Sequence, residues 1–144
     1  MNKATPAIQN LARRLIAIES ARHPSEKEAS ATLRALDKLQ APLSKLVGVG
    51  GFRSLLSRAL ALAAVEVPNL KTIEIETDGS LKGFEDEKYD QVERSPRETG
   101  VAILTHLLGL LVTLIGEPFT LWIVRNAWPD ALADQKQMAV EEQP

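Results

Sequence analysis

The chain has 144 residues, 44% hydrophobic and 25% charged, with a formal net charge of −2, which suits one globular domain long enough to bury a core. Aromatic residues are only 4% of the chain, so that core must be aliphatic; the absence of cysteine excludes disulfides, thiol catalysis and thiolate metal sites. Residues 1–66 carry ten Lys/Arg against five Asp/Glu, a balance of +5, and residues 67–144 carry seven against fourteen, a balance of −7.

The basic half holds its cations at helical spacing with no aromatic interleaved, a pattern of solvated helix faces more than of a nucleic-acid surface. Attraction between the two halves, within a chain or between chains, accounts for the asymmetry at least as well as a nucleic-acid partner. The opening MNKATPAIQNLARR has no uninterrupted apolar run of the secretory kind, so a cytoplasmic protein is expected.

Thr5-Pro6 is a cap-then-proline start for a first helix, with Ile8, Leu11, Ala12, Leu15 and Ile18 on one face and Arg13, Arg14 and Glu19 away from it. His23-Pro24 ends that helix, because a residue before proline is pushed out of the α region. His23 then complements the helix dipole when charged. Ser25-Glu26-Lys27-Glu28 is a capping box opening a second helix, whose stripe of Leu33, Leu36, Leu39, Leu43 and Leu46 is expected to kink or break at Pro42.

Gly48-Val49-Gly50-Gly51 follows a helix and lacks both G-x-G-x-x-G and G-K-[ST], so it reads as a helix stop and re-entry and not as a phosphate loop. Arg53, just inside the next helix, is the candidate anion-binding residue. That helix is expected from about Phe52 to Glu66, with Phe52, Leu55, Leu56, Ala59, Leu62 and Ala63 inward and Arg53, Ser57 and Arg58 outward.

At Thr72 the period changes to two. Thr72 to Glu76 reads as a strand, Asp78-Gly79 as a turn, and Ser80 to Phe84 as the returning strand. A two-residue loop would set Ile75 against Lys82 and Glu76 against Leu81, charge opposite hydrocarbon. A three-residue loop, Thr77-Asp78-Gly79 with Gly79 left-handed, pairs Ile75 with Leu81 and Glu74 with Lys82, and is the register expected. Glu85 to Glu93 holds five acids and one lysine without the spacing of a calcium loop, and reads as a solvated surface segment.

Ser95-Pro96 with Glu98 opens the most apolar segment, Val101 to Gly116. Sixteen residues at about 1.5 Å each reach roughly 24 Å, short of a ~30 Å hydrocarbon layer, which favours a buried core helix over a membrane span. If the helix runs on past Gly116, Thr99, Ala102, His106, Gly109, Thr113, Glu117 and Thr120 share an arc of roughly 80°. This small and polar seam suits close packing, with threonine hydroxyls bonding back to i−4 carbonyls, or alternatively the lining of a pocket or self-association face. His106 and Glu117 lie roughly 16 Å apart along such a helix and cannot form a catalytic dyad. Gly116-Glu117-Pro118 marks a kink or break into a last helical stretch with Leu121, Trp122, Ile123 and Val124, ending at Trp128-Pro129.

The expected fold is therefore α+β but predominantly α: a helical bundle around a central apolar helix with one small hairpin at about 72–84. It forms a single domain over residues 1–132 with a polar tail over 133–144. No nucleophile elbow, H-E-x-x-H or ligand cluster is present, so no metal, cofactor or catalytic residue is assigned. No motif marks a family. The leading expectation is a non-enzymatic protein-interaction or regulatory module, self-associating or docked on a protein partner, with His106, Thr113, Glu117, Trp122 and Trp128 as ligand or interface candidates. The alternatives are a membrane-associated protein anchored by residues 101–124, and an enzyme or small-ligand binder with a carboxylate site at Glu117.

Overall fold

A computed structural model describes residues 5–26, 28–68, 70, 73–82 and 96–129. In chain order they form α1 (Pro6–Arg22), α2 (Glu28–Glu66), β1 (Glu74–Ile75), β2 (Leu81–Lys82), α3 (Pro96–Ile115) and α4 (Glu117–Ala127). The protein is mostly helical, with one two-stranded antiparallel sheet.

α1 begins and ends where its local chemistry dictates. The Thr5 hydroxyl accepts from the Ile8 N–H at 3.2 Å, Pro6 occupies the first turn, and His23 closes the helix. α2 starts three residues after Ser25, not directly behind it. Glu26 remains in the connecting turn, its N–H donating to the His23 carbonyl at 3.1 Å while its carboxylate pairs with Arg34. The chain stays helical through Pro42; the departure falls at Gly48, with φ 81° and ψ 162°. Proline removes one backbone donor, whereas a positive φ cannot be accommodated by the helix at all, so the glycine divides α2 into arms of residues 28–47 and 49–66.

α3 is the centre of the bundle. It packs against both α2 and α1, and α4 folds back onto α3 and α2. Leu104, Leu107, Leu108 and Leu111 are buried, together with Leu15, Ile16, Leu39, Leu43, Phe52 and Leu56 from the surrounding helices. The approach of α3 to α2 is tightest at Gly100, where an added Cβ would lie 1.8 Å from the Thr32 Oγ1. Only a residue without a side chain fits that contact.

At 20 residues α3 is longer than the apolar run alone suggested, and its roughly 30 Å equals a bilayer's hydrocarbon depth. Ser30–Glu66 and Arg97–Ile115 are both long and apolar enough to cross a membrane by length and composition, but 61% of the second stretch is buried inside the protein. Length therefore does not separate core helix from membrane span here; α3 packs against α1 and α2, while 28% of the first stretch is buried.

The hairpin adopts the three-residue-loop register, Glu74 opposite Lys82 and Ile75 opposite Leu81, although only two residues of each strand pair. Thr72, Phe84, the acidic segment 85–93, Ser95 and the tail 133–144 lie outside the described residues. Gly79 has φ 91°, and a Cβ there would sit 2.7 Å from the Gln40 side-chain nitrogen and 3.2 Å from the Phe52 ring. The left-handed conformation favours glycine there, and a side chain would in addition have to displace the Gln40 amide. The Gln40 amide also donates to the Asp78 carbonyl, and Ile73 is buried, which is how so short a hairpin is held on the helices.

α3 and α4 are separated by Gly116 alone, with φ 90° and ψ 156°. The two helices are thus distinct, and the polar seam is cut at that residue. Its first part behaves as close packing requires: Thr99, Ala102 and Gly109 are buried, and the Thr113 hydroxyl donates to the Gly109 carbonyl at 3.1 Å.

Candidate interaction surface

The strongest polar constellation is one that the sequence reading placed wrongly. Glu19 is 1% exposed, inside the bundle. Its Oε2 accepts from the Trp128 indole N–H at 2.8 Å and from the Lys38 ammonium, and Arg34 Nε lies 3.5 Å from Oε1. Arg22 Nη1 stands 3.9 Å away, and an Arg34 terminal nitrogen donates to the Glu19 carbonyl at 3.2 Å. The signal was present in the spacing. Eleven residues beyond Ile8, at about 100° per residue, Glu19 falls within roughly 20° of it, on the buried face of α1.

Burial pushes the Glu19 pKa up. The hydrogen bonds from Lys38 and Trp128, and the charges of Lys38 and Arg22, outweigh that and hold it below its ordinary value of 4.5. Glu19 is therefore an ionised carboxylate tying α1, α2 and the end of α4 together. With its oxygens occupied by structural donors, it serves as a clamp and not as an acid or base.

The candidate residues do not converge. His106 is partly buried on α3 and its Nε2 lies 2.7 Å from the Glu66 carboxylate, an ion pair between the last turn of α2 and the centre of α3 when the imidazole is protonated. Thr113 is exposed, back-bonded to its own helix. Glu117 is exposed in the first turn of α4. Because the helix breaks at Gly116, His106 and Glu117 do not share one seam. Among the described residues no group of three His, Asp or Glu side chains is arranged to hold a metal.

The two tryptophans divide. Trp128 is 0% exposed and belongs to the Glu19 clamp, with the Lys38 ammonium 5.6 Å from its ring centroid, so it is a core residue and not a surface anchor. Trp122 is 53% exposed and packs beside Phe119, itself 40% exposed, with centroids 5.7 Å apart and planes tilted by 51°. With Leu46, 42% exposed, and Ile123, they line a groove of about 530 Å³ between α4 and the first arm of α2. Lys38 and Lys45 stand along the groove, and none of its lining residues is acidic. Lys38 is committed to Glu19; Lys45 has no ion pair among the described residues.

Arg53 lies elsewhere, in a larger open cleft of about 890 Å³ on the second arm of α2. Glu117 borders neither the groove nor this cleft. Comparison with protein-family models, with curated proteins and with solved structures finds no match.

Proposed function

We propose that the protein is a non-enzymatic interaction module whose groove between α2 and α4 receives an acidic, amphipathic helix from a protein partner. The observation that carries this reading is the exposed Phe119–Trp122 pair beside Leu46. Val49, Val65 and Leu114 are exposed as well, but they do not line the groove, whereas Leu46, Phe119 and Trp122 meet in it. Tryptophan and its aromatic neighbours supply the dominant anchors of protein interfaces, and a groove between two helices suits a third helix laid apolar side down. Lys45, which has no ion pair among the described residues, specifies the partner's sign. A basic margin without acids attracts a negatively charged helix and disfavours a positive one, affecting association rate and choice of partner more than raw affinity.

Self-association is the second reading, favoured by the opposite balances of the chain's two halves, +5 and −7. A symmetric pairing through this groove would bring lysine-bearing margins together. A second copy would therefore have to present a different, acidic surface, a head-to-tail contact that generates a ring or a filament and not a two-fold dimer.

The two tryptophans make the test direct. Trp128 is already buried and its emission should stay constant, whereas burial of Trp122 shifts its emission to the blue. Titration with a designed leucine/glutamate amphipathic helix should produce a saturable blue shift, absent with the leucine/lysine counterpart and weakened by Phe119→Ala and Lys45→Glu. Equal responses to both peptides, or none to either, would remove the proposal. A shift to the red on dilution of the protein alone, with a matching fall in mass by light scattering, would instead assign the groove to a second copy.

A further inference from the structure

The cleft on the second arm of α2 is graded along its length. Along the helix Arg53, Ser54, Ser57 and Arg58 line it first and Ala61 and Ala64 follow, with Leu70 and Ile73 also in the lining. At about 100° per residue these helical positions span an arc of roughly 140°, with Arg53 and Arg58 at its edges and Ser57, Ser54, Ala61 and Ala64 between them. From the midpoint of the arginines to Ala64 is roughly 13 Å along the axis. The alanines leave the space that longer side chains would fill, and Leu70 and Ile73, both buried, form an apolar floor.

Among the described residues the two arginines have no ion-pair partner, and the Arg53 Nε is buried without a hydrogen-bond acceptor there. Arg13 and Arg34, by contrast, are paired with carboxylates, Arg13 with Glu98 and Arg34 with Glu19 and Glu26. Two cations without counter-charge, two hydroxyl donors and an adjoining apolar track are the complement of one kind of molecule.

We infer that this cleft binds a small anionic amphiphile, with a carboxylate or phosphate monoester head held between Arg53 and Arg58 and a medium-length hydrocarbon tail running over Ala61 and Ala64. Guanidinium groups recognise planar and tetrahedral oxyanions through paired hydrogen bonds, which a lysine cannot imitate. The serine hydroxyls supply further donors to the head. The tail gains from removal of apolar surface from water, so affinity should depend on both ends of the ligand. This site is separate from the aromatic groove, and its failure would leave the proposed partner interaction untouched.

The probes are decanoate, octanoate, decanol and inorganic phosphate, each below its aggregation limit, followed by calorimetry and by amide chemical shifts. Decanoate should bind, moving Ser54, Ser57 and Ala61, and should bind on the order of tenfold more tightly than octanoate. Decanol and inorganic phosphate, each lacking one end, should be weaker than decanoate by on the order of tenfold or more. Arg58→Gln should weaken decanoate by about tenfold. Ala61→Trp, at an exposed position that leaves the core intact, should block the tail while leaving the weak response to phosphate. Shifts centred on the Trp122 indole, or equal binding of decanol and decanoate, would overturn the assignment. So would attachment to phosphatidylglycerol vesicles with no response to free decanoate, which would make the arginine face a contact for lipid headgroups.

Discussion

Trp122 and Trp128 lie six residues apart on the same short helix and its cap, yet one faces solvent and the other is enclosed. Composition cannot tell them apart; position on the turn can. Trp128 ends the helix, its N–H reaching back to the Val124 carbonyl at 2.9 Å, and its ring drops into the gap between α1 and α2, where a carboxylate accepts from its indole. Trp122 stands on the outer side of α4 with Phe119 one turn behind it. A buried indole needs an acceptor and a matching cavity, while an exposed one beside another aromatic ring needs a partner. Together they separate what holds this molecule together from what it offers outward.

That contrast can be broken most severely at Glu19. Replacing it by alanine leaves the Lys38 ammonium and the Trp128 N–H without their acceptor, and stability should fall by about 3–5 kcal/mol, read from denaturant unfolding. Acid tests the same carboxylate more gently. Its folded-state pKa lies below the unfolded value, so its contribution is complete above pH 4.5 and is lost as pH falls through the lower folded value. Unfolding midpoints across that range should decline, and Glu19→Gln should lack this component. Trp128→Phe keeps the aromatic filling but removes the indole donor, for a loss of about 1–3 kcal/mol in the same assay. Trp122→Ala should leave stability within about 0.5 kcal/mol of the parent while abolishing the blue shift on peptide binding; a large loss of stability would show the groove to be part of the core.

Much of the architecture was legible in the sequence because its cues are local. Thr5-Pro6 and His23-Pro24 bound α1, and alternation around Asp78-Gly79 decided the hairpin register by forbidding charge opposite hydrocarbon. The stop and re-entry expected at Gly48–Gly51 is found, at Gly48, while the kink or break expected at Pro42 is not: proline is the louder signal, but positive φ is the stronger interruption. The candidate surface was half legible. Trp122 was named, but nothing near it in sequence indicates that Leu46 and Lys45 from α2 complete its groove, since that contact spans more than seventy residues. Glu19 was missed although its angle around α1 gave it away; what spacing could not supply was its set of donors, drawn from α2 and from Trp128, 109 residues onward. His106 and Glu117 seemed to belong together only while the helix was taken to continue through Gly116.

That single glycine has a consequence for how the molecule could change. With φ 90°, it swings α4 off the axis of α3 and so chooses which way the Phe119–Trp122 pair is aimed. Were residue 116 to become helical, the aromatic pair would be carried off as an extension of α3 and Trp128 would be drawn out of its cavity. The outward aim of the surface is therefore locked by the same backbone dihedral that seats the inner tryptophan.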